Sequence, residues 1–195
     1  MVQNRERRDR LRDAAIEVLA REGGRGLTHR AVDHEATLPE GTAKNYFATR
    51  DALLQAAAER CVQRYWADLE QAGTAGIQGR EQLVGLLREL LDRAVTVNRS
   101  RVLAYLELHA EAARRPQVQA TLAELNQADL ALHLRVQQAA GLAATPRGAA
   151  IVTMCVSTAL TYLLTQPPQV LKAYGLDDLD AFLRDLIDTT YPRPA

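Results

Sequence analysis

Residues 40 to 51 read EGTAKNYFATRD. Thr42, Lys44 and Asn45 bring a hydroxyl, an ammonium and a carboxamide into four consecutive positions, and Tyr46 adds a phenol. These groups bind by hydrogen bonding rather than by forming covalent bonds. A carboxamide pairs in two-pronged fashion with adenine, and an ammonium donates to guanine or to phosphate. Phe47 has no polar atom beyond its backbone, and aromatic residues are scarce, with six Tyr, two Phe and one Trp in 195 residues. Its place among polar neighbours marks a buried anchor. Thr49-Arg50-Asp51 is a helix start, where the Arg50 guanidinium and free backbone N–H groups together suit a phosphate oxygen. The chemistry of this stretch is recognition of base edges and phosphates.

Catalysis has no comparable constellation. There is no nucleophile elbow and no His-Glu metal helix, and GTAGIQG at 73–79 lacks the Lys-Ser/Thr of a phosphate-binding loop. AREGGRG has its glycines without a preceding strand. His29, His34, His109 and His133 share no ligand spacing. The expectation is a protein with no catalytic residues, no metal and no cofactor.

The formal net charge is zero, which argues against indiscriminate binding to polyanions. Its distribution is uneven. Residues 5–12, RERRDRLR, hold five Arg against two acids, whereas residues 177–188, DDLDAFLRDLID, hold five Asp against one Arg. Only the N-terminal end welcomes a phosphate backbone. Lys44 is one of just two lysines. Met-Val-Gln-Asn-Arg runs into charge with no apolar stretch behind it, so no signal peptide and a cytoplasmic location are expected. Cys61 and Cys155 each sit in an apolar helical pattern, which predicts reduced, buried thiols.

The elements that must position this site are helices, since period-2 alternation is nearly absent. Leu11, Ala15, Val18 and Leu19 form one stripe, stopped by Gly23-Gly24. Thr28 caps a short helix to about Glu35 that buries Ala31 and Val32. After a turn at Ala36-Thr37, a second short helix is expected over about Pro39–Tyr46, with Thr37 and Glu40 at capping-box spacing. Thr49 caps a long helix to about Gln71, and the three glycines of 73–79 mark a break. Beyond it come helices over about 81–95, 101–115, 117–138, 146–165 and 177–190, with QPPQVLKAYG as a connector. The segment AAIVTMCVSTALTYLL, residues 149–164, is apolar on every face. At 16 residues with four hydroxyls (Thr153, Ser157, Thr158, Thr161) it is too short and too polar to span a membrane, which takes about 20. It is expected to be buried all round, at the centre of a bundle or between two subunits.

Two short helices joined by a tight turn and flanked by longer ones describe a helix-turn-helix. Residues 9–57, and in particular AAIEVLAREGGRGLTHRAVDHEATLPEGTAKNYFATRDALLQAA, resemble the N-terminal domain of the TetR family of transcriptional regulators. The resemblance lies in the glycine stop, the Thr-capped second helix, Gly-Thr at 41–42, Tyr-Phe at 46–47 and Ala-Leu-Leu at 52–54. The chain departs from the family pattern in four places. Thr37 stands where glycine is usual, Asp33 where a small apolar residue is usual, Glu40 where a basic or small polar one is common, and Lys44 where an aromatic is common.

The resemblance implies an all-α fold: a three-helix helix-turn-helix DNA-binding domain over residues 1–48 and a ligand-binding and dimerisation bundle over 49–195, linked by the fourth helix. It implies DNA contacts from Thr28, Arg30, Pro39, Glu40, Thr42, Lys44, Asn45, Tyr46 and Arg50, with Gly41 giving the second short helix room to approach closely. Arg5, Arg7 and Arg8 are expected to form a flexible arm along the backbone or in the minor groove. For a small-molecule effector the candidates are Trp66, Tyr105, His109, Met154 and Tyr162, the bulky or polar-tipped residues on otherwise apolar helices. A homodimer is expected to join through residues 146–165 and the face of Leu179, Phe182, Leu183, Leu186 and Ile187, and to read a near-palindromic double-stranded operator. The expected function is a ligand-released repressor. The alternative is a helical ligand-binding or adaptor module that no longer binds DNA.

Overall fold

Gly23 decides where the first helix turns. In the computed structural model, which describes residues 2–73 and 76–193, with the side chains of Val2 and Gln3 left aside, α1 runs over Val2–Gly26 and breaks at Gly23. There φ is 69° and ψ is −177°, a backbone state open only to glycine. The break brings Gly24 against a later helix, and a β-carbon at 24 would lie 2.4 Å from Glu111 Oε1. The Gly24 N–H donates to Glu107 Oε2 at 2.9 Å, and its carbonyl accepts from Arg50 Nη2.

The chain continues as α2 (His29–Glu35), α3 (Thr42–Tyr46), α4 (Arg50–Ala72), α5 (Gly79–Val95), α6 (Arg99–Ala112), α7 (Pro116–Ala139), α8 (Pro146–Thr165), α9 (Pro168–Ala173) and α10 (Leu179–Thr190). No strand occurs among the described residues, and the fold is all-α. Hydroxyl and carboxylate caps close four helix starts, two of them, at Thr28 and Thr49, as the sequence indicates. Thr28 Oγ1 accepts from the Ala31 N–H, Thr49 Oγ1 from Ala52, Thr145 Oγ1 from Gly148 and Asp178 Oδ1 from Ala181, all at 3.0–3.1 Å.

Two compact units share the chain: residues 1–67 with 98–125, and residues 68–97 with 126–195. The first therefore includes α6 and most of α4 as well as α1–α3. Its core joins Leu11, Ala15, Val18 and Leu19 of α1 to Val32, Phe47, Leu53, Leu54, Ala57, Ala104 and Leu108. Asp13 of α1 ties α1 to α4, accepting from Arg60 at 2.7 and 2.9 Å and from Arg64 at 2.9 Å. Burial works to raise the Asp13 pKa, but these guanidinium bonds and charges prevail and hold it below the usual carboxylate range. The second unit packs α5, α8 and α10 around Leu83, Leu87, Leu91, Val152, Leu183 and Ile187.

Several expectations change. The basic N-terminus is helical from Val2 rather than a flexible arm. Ala31 is half-buried, and Asp33 takes the interior place instead. α3 begins at Thr42, not near Pro39, and no Thr37–Glu40 capping box forms. The expected connector holds the short helix α9. α8 buries Ala149, Val152 and Ala159 but leaves Met154 69% and Ile151 45% exposed, so it is not enclosed on every face within the chain. Leu179, Leu183 and Ile187 of α10, expected at a subunit seam, belong to the core of their own unit. Cys61 is buried, which pushes its thiol up to about 12, while Cys155 is only half-buried. In the glycine-rich break, Thr74 and Ala75 lie outside the described residues.

Candidate nucleic-acid interface

The turn between α2 and α3 is built from backbone bonds that close α2. The Thr37 N–H donates to His34 O at 3.0 Å and the Leu38 N–H to Asp33 O at 2.9 Å. This pair is a Schellman motif, whose extra-helical residue must take the left-handed conformation. Thr37 does so with φ 53°. That position suits glycine, and a β-branched side chain is strained in it. Leu38 packs back on the core.

Asp33 then organises the start of α3. It is fully buried. Its Oδ2 accepts from the Gly41 N–H at 2.8 Å and its Oδ1 from the Ala43 N–H at 2.6 Å. The five-residue α3 is far too short to nucleate alone. Gly41, its N-cap, has φ 87° and offers no side chain to close the helix. The carboxylate of a different helix performs that task, with the negative charge placed where the helix N-terminus favours it. Space around Gly41 is open, since a β-carbon there would meet nothing within 4 Å. Its glycine therefore serves the backbone conformation rather than close approach within the chain. At the other end Phe47 is buried, and the His29 Nε2–H donates to its carbonyl at 2.6 Å. The sequence flagged Asp33 only as a departure from pattern and weighed His29 only as a metal ligand. A buried acid eight to ten residues before a helix start was the available clue to Asp33.

Fixed at both ends, α3 leaves Lys44 and Asn45 exposed, with Tyr46 half-exposed beside them. Thr42 turns its hydroxyl inward, donating to the Pro39 carbonyl at 2.6 Å. Arg30 and Glu40, both highly exposed, pair at 3.5 Å. Glu40 thereby has an internal cation, and an exposed pair of this kind separates at little cost. Arg50 departs from the expected clamp geometry, because its guanidinium turns to the Gly24 carbonyl and lies 3.9 Å from Glu111. Thr28 caps α2 and stays exposed.

The five expected effector residues do not converge. Trp66 packs edge-on against Tyr65 at 5.2 Å, and Tyr105 lies edge-on to His109 at 4.3 Å, all in the first unit. His109 is exposed, its Nδ1 3.1 Å from the Tyr105 carbonyl. Met154 and Tyr162 belong to the second unit and line a cavity of about 310 Å³ together with Cys155, Tyr174, Leu176 and Phe182. The Tyr162 and Tyr174 rings meet edge-on at 5.0 Å. Hydrogen bonding to Tyr174 raises the Tyr162 pKa.

Residues 78–189 match the model of the tetracyclin repressor-like C-terminal domain. The chain belongs to the TetR family. A helix-turn-helix-type transcriptional regulator from Xanthobacter autotrophicus, encoded in the dhlA 5′ region, is 36% identical over 92 residues, and the match spans 46% of each chain. The aligned part thus covers less than half of that relative. The multidrug-binding protein EbrR, solved in complexes with imidazole and with ethidium, is 27% identical in the first of these, covering 97% of this chain and 92% of that one at a TM-score of 0.68. A TetR-family member from Streptomyces coelicolor A3 is 27% identical over 96% of this chain and 99% of its own, with a TM-score of 0.69. In this TetR-family chain two of the four residues that depart from the pattern, Asp33 within α2 and Thr37 after it, are those that shape the turn.

Proposed function

We propose that this TetR-family chain is a cytoplasmic, homodimeric transcriptional repressor. On this reading it binds a near-palindromic operator, and a small, mostly apolar ligand lowers its operator affinity. One observation carries the reading: a helix of five residues, capped from α2 by Asp33 and anchored by Phe47, presents Lys44, Asn45 and Tyr46 outward. A helix held so firmly for its length, with its polar side chains unburied, fits the reading of base edges in a major groove. Thr28, Arg30, Pro39, Glu40 and Thr42 flank it. Arg50 joins them on DNA only by giving up its bond to Gly24. Residues 1–48 are assigned to DNA, and residues 49–195 to ligand binding and dimerisation.

The cavity beside Met154 and Tyr162 supports a flat aromatic ligand, because the rings of Tyr162, Tyr174 and Phe182 and the Met154 thioether offer apolar, polarisable walls. EbrR, a neighbour of similar fold, was solved with the flat aromatic molecules ethidium and proflavin. The exposed face of α8 about Ile151 is assigned to the partner copy.

Fluorescence anisotropy on duplex tiles covering the DNA that flanks this protein's gene, at two salt concentrations, tests the reading. One tile bound far above the rest, and less tightly at high salt, is expected. Lys44→Ala and Tyr46→Phe, the latter keeping the ring that packs on the core, should each weaken that complex by about 1–3 kcal/mol without lowering the melting temperature. Equal, weak binding to every tile would instead favour a ligand-binding module without an operator.

A further inference from the structure

The helical N-terminus forms a feature of its own. Asn4, Arg5 and Arg8 of α1 stand opposite Asn45 and Tyr46 of α3 across an open groove of about 670 Å³. Arg8 is set in place by aromatic contact, its guanidinium carbon 5.4 Å from the centre of the Phe47 ring. The neighbouring charges are arranged so that the groove stays positive. Asp9 turns away to Arg12 at 3.1 Å and to Arg60 at 3.7 Å. Arg12 is buried, donating to the Ala56 carbonyl at 3.2 Å. Glu6 lies roughly 160° around the helix from Arg8, at about 100° per residue. Arg5 and Arg8, both exposed, are therefore the charges that face the groove, and amide and phenol groups line its other wall.

We infer that this groove seats the sugar–phosphate backbone of the operator just outside the bases facing α3, with Arg5 and Arg8 as phosphate ligands. The inference rests on the DNA-binding reading above and adds a contact of different character. A groove with two guanidiniums and no opposing carboxylate complements a line of phosphates. As part of a continuous helix, these arginines hold a fixed register along one strand instead of threading a minor groove. Phosphate contacts position a protein but carry no sequence information. The groove therefore contributes affinity equally on any duplex, whereas Lys44 and Asn45 contribute discrimination.

The test uses the full chain, its operator tile and a scrambled duplex of equal length, titrated by anisotropy from about 50 to 200 mM salt. Replacing both arginines (Arg5→Gln with Arg8→Gln) removes two phosphate contacts, so the slope of log K against log salt should become shallower by about 1.8. Across that salt range the wild type then loses about 12-fold more affinity than the double variant. Affinity for the scrambled duplex should fall by the same factor as for the operator. Since Arg8 also rests on Phe47, Arg5→Gln alone is the variant free of any effect on the core, with an expected slope change of about 0.9. Arg5→Lys should retain the wild-type slope. An unchanged slope in Arg5→Gln and the double variant, or a loss confined to the operator, overturns the inference while leaving the DNA-binding reading intact. A wild type that forms no salt-dependent complex with any duplex overturns both.

Discussion

Replacing Asp33 with alanine, the type of small residue that the TetR pattern favours there, should loosen α3 and not merely remove a charge. Two backbone N–H groups, those of Gly41 and Ala43, donate to the carboxylate at 2.8 and 2.6 Å. Hydrogen bonds to a charged acceptor contribute about 1.5–3 kcal/mol each, so the gross loss is about 3–6 kcal/mol. Alanine also relieves the cost of keeping a wholly buried carboxylate out of water, which offsets a few kcal/mol of that. The expected net loss is about 2–4 kcal/mol, a large share of the total stability of an ordinary domain. Asp33→Asn keeps the shape but can satisfy only one donor, and it turns its amide toward the other, for an expected loss of about 1.5–3 kcal/mol. Urea unfolding followed by circular dichroism at the helix band gives the stability change. Hydrogen exchange at the Gly41 and Ala43 amides shows whether the loss is local, since both should exchange faster even under conditions where the protein remains folded. Operator affinity should fall in parallel, because Lys44 and Asn45 ride on the same helix. If Asp33→Ala unfolds within about 0.5 kcal/mol of the parent and binds operator as tightly, the carboxylate does not hold α3 and the reasoning fails.

Thr37→Gly should stabilise the protein by about 0.5–1 kcal/mol, since it relieves left-handed strain of about 1–2 kcal/mol and gives back part of that as chain entropy; a lower urea midpoint would contradict this. Phe47→Ala removes a ring buried in the core of the first unit and should cost about 3–5 kcal/mol in the same assay. Asp13→Asn should destabilise by about 1–3 kcal/mol at neutral pH. Because the folded pKa of Asp13 is depressed, its contribution is complete above the unfolded value near 4 and is lost as pH falls through the folded value. The difference between wild type and Asp13→Asn should thus hold steady from pH 7 to about 5 and close below about 4; a gap that widens on acidification would refute the assignment.

What could be read from the residues depended on how local its cause was. Thr28 and Thr49 cap the helices immediately after them, and each bond spans three residues. Periodicity placed the core face of α1, the stripe of Leu11, Ala15, Val18 and Leu19, because it is set within its own helix. α3 failed at its start because its cap comes from Asp33, one helix away, whereas Thr37 and Glu40 mimicked a cap at the right spacing. The burial of α8 and the inward face of α10 depend on which helices are neighbours, and apolar content alone does not say which. The expected ligand residues scattered for the same reason: bulk on an apolar helix marks packing and pockets alike. The exposed Lys44 and Asn45, by contrast, were legible, since a short polar helix next to a buried aromatic leaves them nowhere else to point.

Gly24 has both of its backbone groups held from outside its own helix. Glu107 of α6 takes the N–H, and Arg50 at the head of α4 takes the carbonyl. α2 begins five residues further on, at His29. Most contacts between helices have slack, because a side chain can change rotamer and absorb a small shift. Here α1 contributes main-chain groups that cannot change rotamer, so the only slack is that of the Glu107 and Arg50 side chains, and each bond, being to a charged group, contributes about 1.5–3 kcal/mol. A displacement of α6 therefore reaches the main chain of α1 through Glu107, and the segment it acts on leads into α2, whose far end carries the turn to α3.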